Sequence, residues 1–204
     1  MDVACLDLEG VLVPEIWIQI AERTGIAELH LTTRDIPDYD TLMQRRLTII
    51  EQHDLRMRDM QSIIESMRPL AGASEFLGWL RERFQVIVLS DTYYEFALPL
   101  LQQLGWPTLF CNRLDVTADG RIANYRLRQQ DPKRCAVKAL HALNFRVVAA
   151  GDSYNDLSML QEADAGILFR PPVSVSDQYP QFPVAQTYEE LCTALSKAAA
   201  QPGA

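Results

Sequence analysis

The amino-acid sequence predicts an α/β protein: a Rossmann-like, three-layer parallel sheet core with a small helical cap inserted after the first strand. Three observations carry this. Apolar runs within Val3–Leu8, Gln85–Asp91 and Arg146–Ser153 have the unbroken hydrophobicity of strands buried on both faces. Helical patterns separate them, which implies crossover connections and a parallel sheet. From Pro14 to Leu70 the alternation stops, and only amphipathic helical patterns remain.

Taken in order, VACLDL is the first strand. The segments EIWIQIAERTG, YDTLMQRRLTIIEQH and RDMQSIIESM read as cap helices, with the loop TTRDIPDYD between the first two. This divides the chain into a core of residues 1–13 and 71–204 and a cap of residues 14–70. ASEFLGWLRERF sets Phe76, Leu77, Leu80 and Phe84 at helical spacing. QVIVLSD, rich in β-branched residues, is the second strand. Tyr93–Gly105 reads as a helix with a glycine stop, in which Pro99 either makes a bend or marks the true start. Phe110–Leu127 reads as a hairpin turning at Ala118-Asp119-Gly120. Asp131 as N-cap and Pro132 in the first turn open the next helix. RVVAAGDS is the third strong strand, and Gly166–Phe169 and Pro183–Thr187 are shorter ones. A loop is expected at Arg170-Pro171-Pro172, a final helix over Tyr188–Ala200, and a frayed tail at Gln201–Ala204.

Composition narrows the function. With 204 residues, 48% apolar and 23% charged, the chain can bury one substantial core. Its net charge is -8 and it has no long basic run, so no nucleic-acid footprint is suggested. An anionic ligand would therefore need local cations or a metal. No apolar stretch reaches membrane-spanning length and no leader pattern opens the chain, so the expected compartment is the cytoplasm. Cys5, Cys111, Cys135 and Cys192 lack CxxC or metal-ligand spacing and are expected to be reduced thiols. His30, His53 and His141 are scattered and read as surface or satisfied residues. Trp17, Trp79 and Trp106 read as packing residues, with Trp17 also placed to face a pocket from the cap.

Each strong strand ends in polar residues. The first ends in Asp7 and Glu9, the second in Ser90, Asp91 and Thr92, the third in Gly151, Asp152, Ser153, Asn155 and Asp156. In an open parallel sheet these ends converge on the ligand crevice. Carboxylates about 4 Å apart repel by roughly 4 kcal/mol at an effective dielectric near 20, and a divalent cation resolves this. Oxygen ligands favour Mg²⁺, with Asp7 and Asp152 as its natural carboxylates. Lys133, in the first turn of its helix, supplies a second cation, and Ser90 a hydroxyl donor. Together these make a phosphate site.

This pattern resembles the haloacid dehalogenase-like phosphatase superfamily. DLEGV matches its first motif, Ser90 after VIVL its second, Lys133 its third and GDSYND its fourth. The resemblance implies Asp7 as the nucleophile that becomes an aspartyl phosphate, and Glu9 as general acid/base with its backbone carbonyl on Mg²⁺. Asp152 would complete the metal site. Asp156 would hold a metal-bound water or Lys133, and Asn155 would contact substrate or phosphate. The helical cap is similar to that of the phosphoserine phosphatase branch. There Arg46 in MQRRLTII matches the arginine that takes the substrate carboxylate bidentately, whereas on the bland reading Arg45 and Arg46 merely solvate a helix face. Glu15 is the candidate for the substrate amine, one residue short of the branch's usual position, where Ile16 stands.

Two departures matter. Glu9 replaces the usual aspartate, and Asp91 the glycine that usually follows the second-motif serine. Both resemble a bifunctional subfamily that passes phosphate from L-phosphoserine to water or to L-homoserine. The alternative is another phosphomonoesterase with the same core, acting on a sugar phosphate, a nucleotide or a methionine-salvage intermediate. Response-regulator receivers share the phosphorylated aspartate but have neither a cap nor an acid placed like Glu9.

Overall fold

Strand β1 (Val3–Leu6) is buried at every position, as an unbroken apolar run between two neighbours must be. The computed structural model, which describes residues 2–32, 35–36 and 38–200, pairs it in parallel with β2 (Gln85–Tyr93) on one side and β5 (Val147–Gly151) on the other. Beyond β2 lie β3 (Thr108–Val116) and β4 (Ile122–Arg126), and beyond β5 lie β6 (Ala165–Phe169) and β7 (Val184–Ala185). The seven-stranded order is β4-β3-β2-β1-β5-β6-β7, and only β4 runs antiparallel to its neighbour.

The two-residue period of a strand sorts its side chains onto opposite faces. Val3 and Cys5 pack on one face with Ala136, Val137, Leu157 and Val175, from helices α6 (Pro132–Ala142), α7 (Leu157–Glu162) and α8 (Val173–Gln178). Ala4 and Leu6 pack on the other with Phe76, Leu80, Leu191 and Leu195, from α4 (Ala73–Arg81) and α9 (Tyr188–Ala200). Helix, sheet and helix make the predicted three layers.

Residues after β1 form α1 (Ile16–Thr24), a 3₁₀ turn (Ala27–His30), α2 (Tyr39–Gln52) and α3 (Met57–Ser66), with no strand among the described residues there. Their inner side chains Ile20, Met43, Ile50, Met60 and Ile64 belong to the same apolar cluster as Phe96 on α5 (Tyr94–Gln103). The chain leaves and re-enters the sheet layer side by side, where Leu70 N donates to Leu12 O at 2.9 Å. Pro99 lies inside α5 and has no amide to offer the Glu95 carbonyl one turn back. Gln61 of α3 fills that gap from across the interface, its Nε2 donating to Glu95 O at 3.1 Å.

Some boundaries differ from expectation. The first strand stops at Leu6, which releases Asp7 into the crevice, and the second runs on to Tyr93, so its helix starts at Tyr94. The hairpin's first arm begins at Thr108 because it is also a parallel partner of β2, while its turn closes as expected, with Thr117 N on Arg121 O at 2.9 Å. Asp131 does not cap α6 with its side chain. Its backbone is left-handed (φ 46), and its carboxylate instead accepts from Ser158 Oγ at 2.6 Å. All four cysteines are unpaired. His141 meets Asp164 at 3.0 Å. The expected tail at Gln201–Ala204, and Thr33, Arg34 and Pro37 of the predicted loop, lie outside the described residues.

Candidate active site

The chain runs from β1 outward through β2, β3 and β4, then returns to place β5 on the other side of β1. The switch point lies between β1 and β5, where a crevice opens beyond the carboxyl ends of the strands. Asp7 and Asp152 follow those two strands, stitched by Asp7 N donating to Ala150 O at 3.0 Å. Asp7 Oδ1 accepts from Leu8 N at 2.7 Å and faces Lys133 Nζ at 3.0 Å. The same ammonium donates to Asp156 Oδ1 at 2.7 Å and lies 3.5 Å from Asp91 Oδ2. Asp156 Oδ2 accepts the amides of Asp152 and Ser153 at 2.9 and 3.1 Å, which fixes the loop after β5. Ser90 is buried, and its Oγ accepts from Thr92 N at 3.2 Å, leaving its own hydroxyl free to donate.

The donor set fits a divalent cation. Carboxylate oxygens of Asp7, Asp152 and Asp156 lie within 4.8 Å of one another, all buried, against one ammonium. Burial, then repulsion from Asp156, pushes the Asp7 carboxyl well above the usual range and Asp152 up to about 7. Burial pushes Lys133 down, but Asp156, Asp7 and Asp91 outweigh it, and its pKa lies well above the lysine norm. One cation is thus too few for this cluster. Two glycines make the closeness possible. A Cβ on Gly10 (φ +75) would lie 2.5 Å from the Asp152 carboxyl carbon, and one on Gly151 would lie 2.4 Å from Asp156 Cβ. The Glu9 carbonyl accepts no backbone hydrogen bond among the described residues, consistent with a further oxygen ligand.

A second group faces this floor from the inserted helices. Glu9 Oε2 accepts from Ile16 N at 2.8 Å, at the first turn of α1. Burial, then the charge of Glu15, pushes its carboxyl up to about 8, against the Ile16 amide, Arg46 and the Thr92 hydroxyl. Glu15 itself is exposed, and its charge acts on both Glu9 and Asp152, which places it beside the crevice. Arg46 is 6% exposed, so it is no solvated helix-face residue. At the mouth, a cavity of about 800 Å³ is lined by Tyr39, Asp91, Gln129, Lys133, Tyr154 and Asn155. Asn155 Nδ2 donates to Asp91 Oδ2 at 2.9 Å, so its amide is engaged by a side chain rather than held free for substrate.

All ten residues singled out in the sequence therefore gather at one end of the sheet: Asp7, Glu9, Glu15, Arg46, Ser90, Asp91, Lys133, Asp152, Asn155 and Asp156. A family model described as haloacid dehalogenase-like hydrolase matches residues 1–164. The chain belongs to this family. Among haloacid dehalogenase-like relatives, the phosphoserine phosphatase ThrH of Pseudomonas aeruginosa is 57% identical over 201 residues, covering 98% of each chain. A phosphoserine phosphatase of Pseudomonas syringae pv. tomato is 59% identical over 191 residues, 94% of this chain and 81% of that one. A solved, substrate-bound phosphoserine phosphatase superposes with a TM-score of 0.75 at 20% identity, over 96% of this chain and 97% of the other, which shows a shared fold.

Sequence reasoning missed Tyr39, and Thr92 as a partner of Glu9. Tyr39 Oη shares a 2.7 Å hydrogen bond with Tyr93 Oη and also reaches Asp91 O at 3.4 Å. Tyr93 closes β2, two residues beyond the strand end expected at Asp91 and at the position expected to open the next helix. Nothing local to Tyr39 marks it, because its partner is 54 residues away.

Proposed function

We propose that the protein is a Mg²⁺-dependent phosphoserine phosphatase working through a phosphoryl group on Asp7, and that it also transfers phosphate to L-homoserine. The observation that carries the substrate assignment is Arg46: a buried guanidinium, without an ion pair among the described residues, on the inserted helices facing the phosphate floor. A substrate with an anion at each end meets both cations, Lys133 at one and Arg46 at the other. The relatives' names agree. We assign residues 14–70 as the cap that carries this second anchor.

Leu8 N and Lys133 both engage Asp7 Oδ1, which points to Oδ2 as the attacking oxygen. Asp7 attacks phosphorus in line, the bond from phosphorus to the serine oxygen breaks, and Glu9 delivers its proton to the departing alkoxide. A carboxyl held up to about 8 is protonated at neutral pH and ready to do this. In the second half the Glu9 carboxylate takes a proton from water or the homoserine hydroxyl. That oxygen attacks phosphorus, and the bond to Asp7 breaks. Lys133 and the Ser90 hydroxyl face the phosphate charge. Asp7, Asp152, the Glu9 carbonyl and Asp156 would hold Mg²⁺, which when bound would supply the missing positive charge. Asp91 and the 800 Å³ mouth leave room for an acceptor larger than water.

The test is incubation with Mg²⁺ and L-phosphoserine, with and without L-homoserine, quantifying free phosphate and phosphohomoserine together. Both products are expected. Phosphate alone would remove the transferase half, and neither product would overturn the substrate assignment.

A further inference from the structure

The guanidinium of Arg46 is in an unusual position for a buried cation. Its Nη2 donates to Leu31 O at 2.8 Å, and its Nη1 reaches only the Met43 thioether, a weak acceptor, at 3.7 Å. Its Nε is buried and has no partner among the described residues. The charged and polar groups facing it are Tyr39, Glu9, Tyr93 and Glu15, and among the described residues none of the acids lies within ion-pair distance. A buried charge left this way is costly unless something else stabilises it. What lies against it is the indole of Trp17, with the guanidinium carbon 4.4 Å from the ring centroid. The ring is fixed in turn. It is 8% exposed and meets Phe96 of α5 edge-on, with centroids 5.4 Å apart at 69°.

We infer that Trp17 is the positioning residue for the Arg46 anchor: its ring stands in for a counter-ion, so that no carboxylate of the protein takes the guanidinium N–H donors that the substrate carboxylate needs. A carboxylate counter-ion would occupy the same N–H donors that the substrate needs, and would have to be displaced at each turnover. An aromatic face stabilises the cation through its quadrupole from above, where no hydrogen-bond donor points. The inference rests on the reading of Arg46 given under the proposed function.

The test compares Trp17→Leu, Trp17→Phe and Arg46→Ala on L-phosphoserine and on two phosphomonoesters without a carboxylate, O-phosphoethanolamine and p-nitrophenyl phosphate. In Trp17→Leu, kcat/KM for phosphoserine should fall about tenfold, mainly through KM, with the carboxylate-free substrates within about twofold of the parent. Trp17→Phe should recover most of the loss. Equal losses on all substrates, or no loss on any, would make Trp17 a packing residue and overturn the inference. Should Trp17→Leu fail to fold, Trp17→Phe decides. A KM rise of about two- to threefold confined to phosphoserine supports the inference, and any change without that selectivity overturns it. Arg46→Ala separates the two claims. If it weakens phosphoserine selectively and Trp17→Leu does not, only the Trp17 inference falls. If it is itself unselective, the carboxylate anchor falls and the inference with it.

Discussion

Replacing Gly10 by alanine tests whether close approach of the backbone to Asp152 builds the proposed metal site. The added Cβ would lie 2.5 Å from the Asp152 carboxyl carbon, where ordinary contact begins at 3.4 Å, so the carboxylate must withdraw by roughly 1 Å. A displacement of that size at a reacting centre lowers turnover by about 10²-fold. Disturbing a metal ligand's support should raise the half-saturating Mg²⁺ concentration about 10–100-fold. Gly10 also has φ +75, and a left-handed alanine costs about 1–2 kcal/mol, or about 2–8 °C in Tm for a chain this size. Gly25→Ala is the control, because Gly25 has φ +72 with nothing within 4 Å of its Cβ position. Gly10→Ala should lose at least as much stability as Gly25→Ala by calorimetry, and only Gly10→Ala should lose Mg²⁺ affinity and rate. Equal Mg²⁺ titrations in the two variants would refute the reasoning, since backbone strain alone would then explain both.

Other expectations follow from particular contacts. Gln61→Leu removes the donor that satisfies Glu95 O and should destabilise the protein by about 1 kcal/mol, a loss that vanishes in a Pro99→Ala background where the helix supplies its own amide. A denaturation cycle showing additive losses would contradict this. Glu9→Asp and Asp91→Gly should each shift the ratio of phosphohomoserine to free phosphate, and an unchanged ratio in both would remove these side chains from acceptor choice. Burial pushes the Cys5 thiol up to about 12 and raises Cys111 as well. Burial also raises the half-buried Cys192, so a thiol reagent at pH 8 should modify Cys135 first and Cys192 more slowly in the native protein, and all four cysteines only after denaturation.

Much of the acidic cluster at the strand ends was legible because it is local. A strand's carboxyl end is set by where its apolar run stops, and Asp7, Ser90 and Asp152 each follow such a run directly. Lys133 was legible because Pro132 marks a helix start. The inserted helices were legible from their period. What stayed hidden depends on partners distant in sequence. Pro99 announced a disturbed helix, but nothing nearby announced that Gln61 would mend it. Asp131 looked like a helix cap, yet its left-handed backbone sends the carboxylate to Ser158 instead. The hairpin was visible, but not that its first arm continues the parallel sheet beside β2. Arg46 was visible as a cation, while the absence of an ion pair among the described residues and the indole beneath it belong to tertiary packing.

The most direct test of the chemistry is to quench the protein during turnover of isotopically labelled L-phosphoserine with Mg²⁺, then locate the acid-stable, hydroxylamine-labile label by peptide mapping. Label on the peptide containing Asp7, absent in Asp7→Asn, is the predicted result. Turnover with no protein-bound label, or with label on another residue, would contradict attack by Asp7 and the roles assigned around it.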